Sequence, residues 1–241
     1  ADSASYVYNG TQRDVTTATV NVSGVTVTGY TVSGSGTNVG SYPTSVTLGT
    51  VKIMSGAADV TNQYDVSTVN GTLAITPADM TVTSTGYTGT YDNQPHGISV
   101  TPNVAGSDVK YSLTNSTDPA NYSSTYPTVT DATTGTTVYF MVTNPNYNPV
   151  FDSEAITINK RIVRLTTEGA EQVYNGIALT NPNWAEDGDS EGFVTGQGFE
   201  TSATTGTITN VGTANNGFTY TLTSATKTGN YTFDVTEGVL E

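Results

Sequence analysis

The sequence predicts an all-β chain of three tandem β-sandwich repeats, and three observations predict it. The first is composition: Thr, Ser, Val, Gly, Asn and Tyr dominate the 241 residues, while Leu, Lys, Arg and Met are scarce. β-branched and aromatic side chains suit a pleated, half-buried sheet, and Gly and Asn suit tight turns. The second is patterning. No window sustains a helical apolar period, whereas Tyr64, Val66 and Thr68 alternate with Asp65, Ser67 and Val69 as a strand requires. The third is internal repetition. Tyr8-Asn9-Gly10, Tyr91-Asp92-Asn93 and Tyr174-Asn175-Gly176 stand 83 residues apart (91 − 8 and 174 − 91). Tyr64, Tyr147 and Tyr231 stand 83 and 84 apart (147 − 64 and 231 − 147). Two independent markers with one period define a threefold array.

The repeats span 1–77, 78–159 and 160–241. In the first, strands are expected near 4–8, 19–22, 25–32, 45–54, 62–69 and 71–76. Its closing stretch, Gln63 to Ile75, reads as a β-hairpin, with Asn70-Gly71 supplying the two positive-φ residues of a type I′ turn. Tyr64, Tyr147 and Tyr231 read as core aromatics whose hydroxyls tie down loops. The second repeat diverges internally but keeps both markers, with strands near 80–85, 97–101, 108–113, 136–143, 146–151 and 154–159. The third resembles the first more closely. Val194-Thr195-Gly196 and Thr209-Asn210-Val211-Gly212 match Val27-Thr28-Gly29 and Thr37-Asn38-Val39-Gly40. Its strands are expected near 161–167, 192–197, 203–209, 217–224, 230–235 and 238–241, the last cut short. Short junctions at Thr76-Pro77-Ala78-Asp79 and Asn159-Lys160-Arg161 predict an elongated array, each unit ~30 Å long if strands of ~8–10 residues lie along it.

The Tyr-Asn-Gly openings, Thr-Asn-Val-Gly middles and Asn-Tyr…Gly-x-Leu endings resemble the MBG/YDG-type, immunoglobulin-like tandem repeats of large bacterial surface proteins. The stretches Thr88 to Val100 and Val138 to Val150 resemble a companion repeat interleaved with them. The resemblance covers essentially the whole chain. It implies immunoglobulin-like sandwiches in an exported, cell-surface protein of Gram-positive type, where such repeats act as stalks or adhesive modules. It carries no catalytic residues.

Charge sets the partners. A formal net charge of −14 with only seven Lys plus Arg argues against nucleic acid and anionic membranes, both of which need clustered positive charge. No apolar run approaches the ~20 residues that span a bilayer. No leader opens the chain and Ala1 runs almost directly into a strand, so a processed segment of a longer, monomeric protein is expected. Its partners would be neighbouring repeats of that parent and, in an adhesive reading, a host glycan or protein. The absence of Cys places the chain in no compartment. A composition rich in Thr, Asn and Gly and poor in charge points to the cell exterior.

Chemistry is sparse. His96 is the single histidine and sits in a turn, Gln94-Pro95-His96-Gly97, with no nucleophile motif beside it, so no catalytic residue is assigned and no enzyme is expected. The most acidic stretch is Trp184 to Gly192. Glu186, Asp187, Asp189 and Glu191 offer hard oxygens that suit Ca²⁺ in a flexible loop, against the simpler expectation of a solvated turn. No other cofactor is indicated. Trp184 and the 15 tyrosines suit either sugar stacking or sheet packing. Lys52, Lys110, Lys160 and Lys227 occupy no position common to all three repeats, which disfavours Lys–Asn crosslinks.

Overall fold

Twenty strands and three single turns of 3-10 helix make up the chain, and the fold is all-β, as the composition requires. The structure is a computed structural model that describes all residues 1–241. It divides into two compact units. One comprises Ala1–Thr83, Thr101–Val109 and Met141–Phe151; the other comprises Ser84–Val100, Lys110–Phe140 and Asp152–Glu241. The division falls inside 78–159.

The first unit holds β1 (Ala4–Val7), β2 (Arg13–Asp14), β3 (Thr26–Ser33), β4 (Ser35–Gly36), β5 (Gly40–Ser55), β6 (Ala58–Asp59) and β7 (Gly71–Thr76). Its main sheet runs β1-β7-β5-β3, with β6 on β5. β1 lies parallel to β7, and β5 antiparallel to it. Leu73 and Ile75 alternate inward along β7 and are buried, together with Ile53 and Val15. At Gly29 the β3–β5 register slips by a bulge. Gly29 has φ +79°, and a Cβ there would lie 1.9 Å from the Thr50 carbonyl, so glycine is required.

Next come β8 (Val82–Thr85), β9 (Tyr87–Thr90), β10 (Ser99–Pro102), β11 (Asp108–Ser112), β12 (Thr133–Asn144) and β13 (Tyr147–Asn159). The sheets are β10-β8 and β11-β12-β13-β9. Within β12 Val138, Phe140, Met141 and Val142 are all buried, a run enclosed on both faces. The second unit continues with β14 (Arg161–Thr167), β15 (Trp184–Glu186), β16 (Phe199–Thr204), β17 (Ala214–Asn216), β18 (Phe218–Leu222), β19 (Tyr231–Thr236) and β20 (Gly238–Leu240). These pair as β15-β14-β19, β16-β18 and β17-β20. Val163, Leu165 and Thr167 alternate inward along β14.

The 83-residue period reappears as strand register. Ala4 pairs in parallel with Leu73, Tyr87 with Ile156, and Ala170 with Leu240. The aliphatic partner in each pair is fully buried, at 0% exposure. Each opening motif is an Asx turn. The Oδ1 of Asn9, Asp92 and Asn175 accepts the N–H two residues on, at 3.1, 2.9 and 2.8 Å. The intervening residues Gly10, Asn93 and Gly176 hold φ of +79°, +63° and +76°. Asn93 is the one non-glycine with positive φ, at the position where the sequence writes Asn for Gly.

Several expected elements differ. The stretches 19–22, 62–69 and 192–197 form no strand, and 146–151 and 154–159 merge into the single strand β13. The hairpin expected across Gln63–Ile75 does not form. Neither Asn70 nor Gly71 has positive φ, and Gly71 is the first residue of β7. Both edges of β7 are occupied, by β1 and β5, which leaves none for a preceding strand. Gly71 is small for another reason: a Cβ would lie 2.4 Å from the Asp2 carbonyl oxygen that crosses it.

Candidate functional site

The acidic stretch carries the densest charge in the chain, and three of its four carboxylates are engaged. Glu186 accepts the Ser190 hydroxyl at 2.7 Å, and Glu191 accepts the Ile162 N–H at 2.7 Å. Asp189 pairs with Arg164 at 3.2 Å, and the Asp187 carbonyl accepts the Ser190 N–H at 3.0 Å in a tight turn. The loop is laced to the edge of β14, and no group of three Asp, Glu or His side chains converges as a divalent cation would need. Glu186, Asp187, Asp189 and Glu191 are therefore not brought together as a coordination shell.

His96 lies against the Asx turn of the second repeat. Its Nε2 is 2.8 Å from Asp92 Oδ1, and its ring stacks on Tyr87 at 3.8 Å with planes 12° apart. That hydrogen bond is the main cause of the lowered Asp92 pKa. One ring nitrogen and one ring face thus hold the turn. Trp184 is half-buried, with its ring edge-on to Phe218 at 5.0 Å and Phe199 at 5.9 Å, in a cluster that also holds Phe193, Tyr220 and Phe233. Those contacts are aromatic packing between strands.

What the structure does build twice is a junction. In the first unit the opening Tyr8 meets the closing Tyr147 edge-on, with ring centroids 5.5 Å apart and planes at 77°. Asn146, just before that tyrosine, accepts the Val39 N–H through Oδ1 at 2.9 Å and donates through Nδ2 to Asn38 Oδ1 at 3.2 Å. Main-chain bonds flank the pair: Ala78 N–H donates to Asn146 O at 3.1 Å and Asn148 N–H to Ala78 O at 2.8 Å.

In the second unit the same parts recur. Tyr91 meets Tyr231 edge-on at 5.6 Å and 80°. Asn230 accepts the Ala132 N–H at 2.7 Å and donates to Asp131 Oδ1 at 3.0 Å. Here the surroundings are richer. Gln197 bridges both hydroxyls, donating to Tyr91 at 2.9 Å and accepting from Tyr231 at 2.6 Å. Arg161 donates to the Tyr91 carbonyl at 3.2 Å, and Lys227 reaches Asp131 at 2.7 Å. Tyr91 and Tyr231 are 1% and 3% exposed, and burial raises the Tyr231 pKa. The Lys227 contact lowers the Asp131 pKa and raises that of Lys227.

The closing tyrosines thus differ from the uniform role expected of them. Tyr231 ties down a loop, its hydroxyl accepting the Val194 N–H at 3.2 Å. Tyr147 packs on another aromatic ring, whereas Tyr64 is 37% exposed. The residues that sequence reasoning missed are Asn146 and Asn230. The recurring Asn-Tyr dipeptide was visible, but which backbone it would recognise was not.

No family model and no curated protein matches the chain. Among solved structures, it is similar to the three N-terminal domains of the bacteriophage RB49 highly immunogenic outer capsid protein (Hoc). That likeness has 17% identity, covers 77% of this chain and 67% of that one, and has a TM-score of 0.26. It is also similar to extracellular cadherin domains 3–6 of protocadherin gamma B2, at 15% identity over 63% of this chain and 40% of that one, with a TM-score of 0.22. Superpositions this loose bear neither on how this chain folds in detail nor on what it does. No helix is long and apolar enough to cross a membrane.

Proposed function

We propose that the chain is a non-catalytic structural segment of a bacterial cell-surface protein, related to the MBG/YDG-type immunoglobulin-like repeats, whose repeats serve as spacers. The observation that carries this reading is the repeated junction. An Asn-Tyr pair closes one repeat onto the opening tyrosine of the repeat before it, twice, with the same side chains at nearly the same distances. Such bonds restrict bending between neighbours, which is what a spacer needs. The contacts that Glu186, His96 and Trp184 make within the chain support the same reading.

The test is a screen of the purified chain against a glycan array and host matrix proteins, alongside antibody labelling of intact cells that make the protein. Surface labelling without saturable binding is the expected result. Micromolar binding to a single ligand, abolished by substituting one exposed aromatic residue, would replace the spacer reading with the adhesive one. Signal only after permeabilisation would remove the surface assignment.

A further inference from the structure

The opening motif occurs three times, yet only two copies meet a closing Asn-Tyr pair. Tyr174 occupies the place of Tyr8 and Tyr91 in its own Asx turn and is 62% exposed. Around it Val173, Ile177 and Val211 are 90%, 67% and 87% exposed, a concentration of bare apolar side chains unlike the rest of the second unit. Together with Glu171 and Ile208 they line an open cleft of about 690 Å³.

The far wall of that cleft repeats the rest of the junction. In the first repeat Tyr42 pairs with Leu73, and in the third Ala214 pairs with Leu240, so Ala214 stands where Tyr42 does. Counting back along both strands, Asn210-Val211-Gly212 falls on Asn38-Val39-Gly40. The backbone agrees: Gly40 and Gly212 have φ of +159° and +150°. Val39 and Asn38 are the residues that Asn146 recognises, through the N–H of one and the side-chain oxygen of the other. Asn210 and Val211 present the same two groups beside Tyr174.

We infer that this cleft is a seat for one further repeat of the same kind, which docks an Asn-Tyr pair with its Tyr edge-on to Tyr174 and its Asn on Val211 and Asn210. The seat is of the first kind: it carries Asn210, as the first junction carries Asn38, where the second carries Asp131 paired to Lys227. The occupant is therefore a repeat like 78–159, bringing the equivalent of Asn146-Tyr147. The seat deepens the spacer reading and rests on it, since it is a device for extending an array.

The experiment uses the full chain, alone and extended after Glu241 by a second copy of residues 75–159, which continues the strand in register because Leu240 stands where Leu73 does. Hydrogen exchange at the Val211 amide is the readout. The extension is expected to slow it at least about tenfold, the scale of one added hydrogen bond in a packed junction. An appended copy whose Asn146 equivalent is changed to Ala restores the fast rate. Tyr174→Ala, exposed in the unextended chain, leaves that chain's melting temperature unchanged and removes the protection in the extended one. Unchanged Val211 exchange on extension would overturn the inference, as would full protection in the Tyr174→Ala chain. Concentration-dependent dimerisation of the unextended chain that protects Val211 would overturn it too, by giving the seat to a second molecule. Ligand binding by the chain would sink the spacer reading yet leave Val211 exchange untouched, so the two fail separately.

Discussion

The junction at Tyr147 and the junction at Tyr231 use the same two side chains in different settings. Both place an edge-on tyrosine pair and an asparagine that reads a backbone N–H. In the first, Tyr8, Asn146 and Tyr147 are half-buried. In the second, Tyr91, Asn230 and Tyr231 are buried, Gln197 bridges the hydroxyls, and charged partners ring the contact. The difference separates what makes a junction from what strengthens it. An Asn on a main-chain N–H and a ring against a ring are common to both, while burial and the surrounding hydrogen bonds differ.

The largest contrast is expected at the opening tyrosine. Tyr91→Ala removes a fully buried ring and strands the Gln197 amide, and should cost about 3–5 kcal/mol in urea unfolding, the range for deleting a buried aromatic. Tyr8→Ala removes a half-buried ring and should cost about 1–2 kcal/mol. Equal losses would erase the distinction between the two settings. The asparagines follow in the same order. Asn230→Ala leaves the Ala132 N–H without its acceptor in a site 2% exposed, for about 1–3 kcal/mol. Asn146→Ala frees an N–H that water can reach, for about 0.5–1 kcal/mol.

Alkaline pH should loosen the second junction. The Tyr231 pKa is raised from its ordinary 10.0, first by burial. The folded state therefore holds the proton more tightly than the unfolded one. Its contribution is fully present below about pH 10 and is lost as pH rises through the folded value. Lys227, raised from 10.5 by Asp131, acts in the same direction. Tyrosinate absorbance and thermal unfolding followed together should show the melting temperature fall as Tyr231 ionises. A melting temperature unchanged through that ionisation would show that the second junction does not depend on the neutral hydroxyl.

Much of this was legible in the sequence. The all-β class followed from composition, and the 83-residue period returned as the register Ala4–Leu73, Tyr87–Ile156 and Ala170–Leu240. β14 was read at its observed bounds, because alternating Val163 and Leu165 is a local signal. The failures have one cause: local pattern cannot show what crosses from far away. Asn70-Gly71 carries a hairpin signal, but the glycine answers to Asp2, 69 residues earlier (71 − 2), whose carbonyl passes over it. Val194-Thr195-Gly196 has strand-forming residues, yet Val194 spends its N–H on the Tyr231 hydroxyl. Nor did clustered charge show that Glu186 and Glu191 would be consumed by Ser190 and Ile162.

The smallest effect is expected where the second junction looks most decorated. Lys227 and Asp131 are 2.7 Å apart, but their side chains are 68% and 50% exposed. Water and salt screen an ion pair of that kind, and ordering the long lysine side chain offsets much of what attraction remains. Lys227→Met should leave the urea midpoint within experimental error at physiological salt, even though Asp131 loses its main stabilising partner. Asp131→Asn, which keeps an oxygen for the Asn230 amide, should be equally mild, whereas Asp131→Ala also removes that acceptor and should cost more. Were Lys227→Met to destabilise the chain as much as Asn230→Ala, charge rather than the Asn-Tyr pair would be holding the junction, and the two settings would differ in kind.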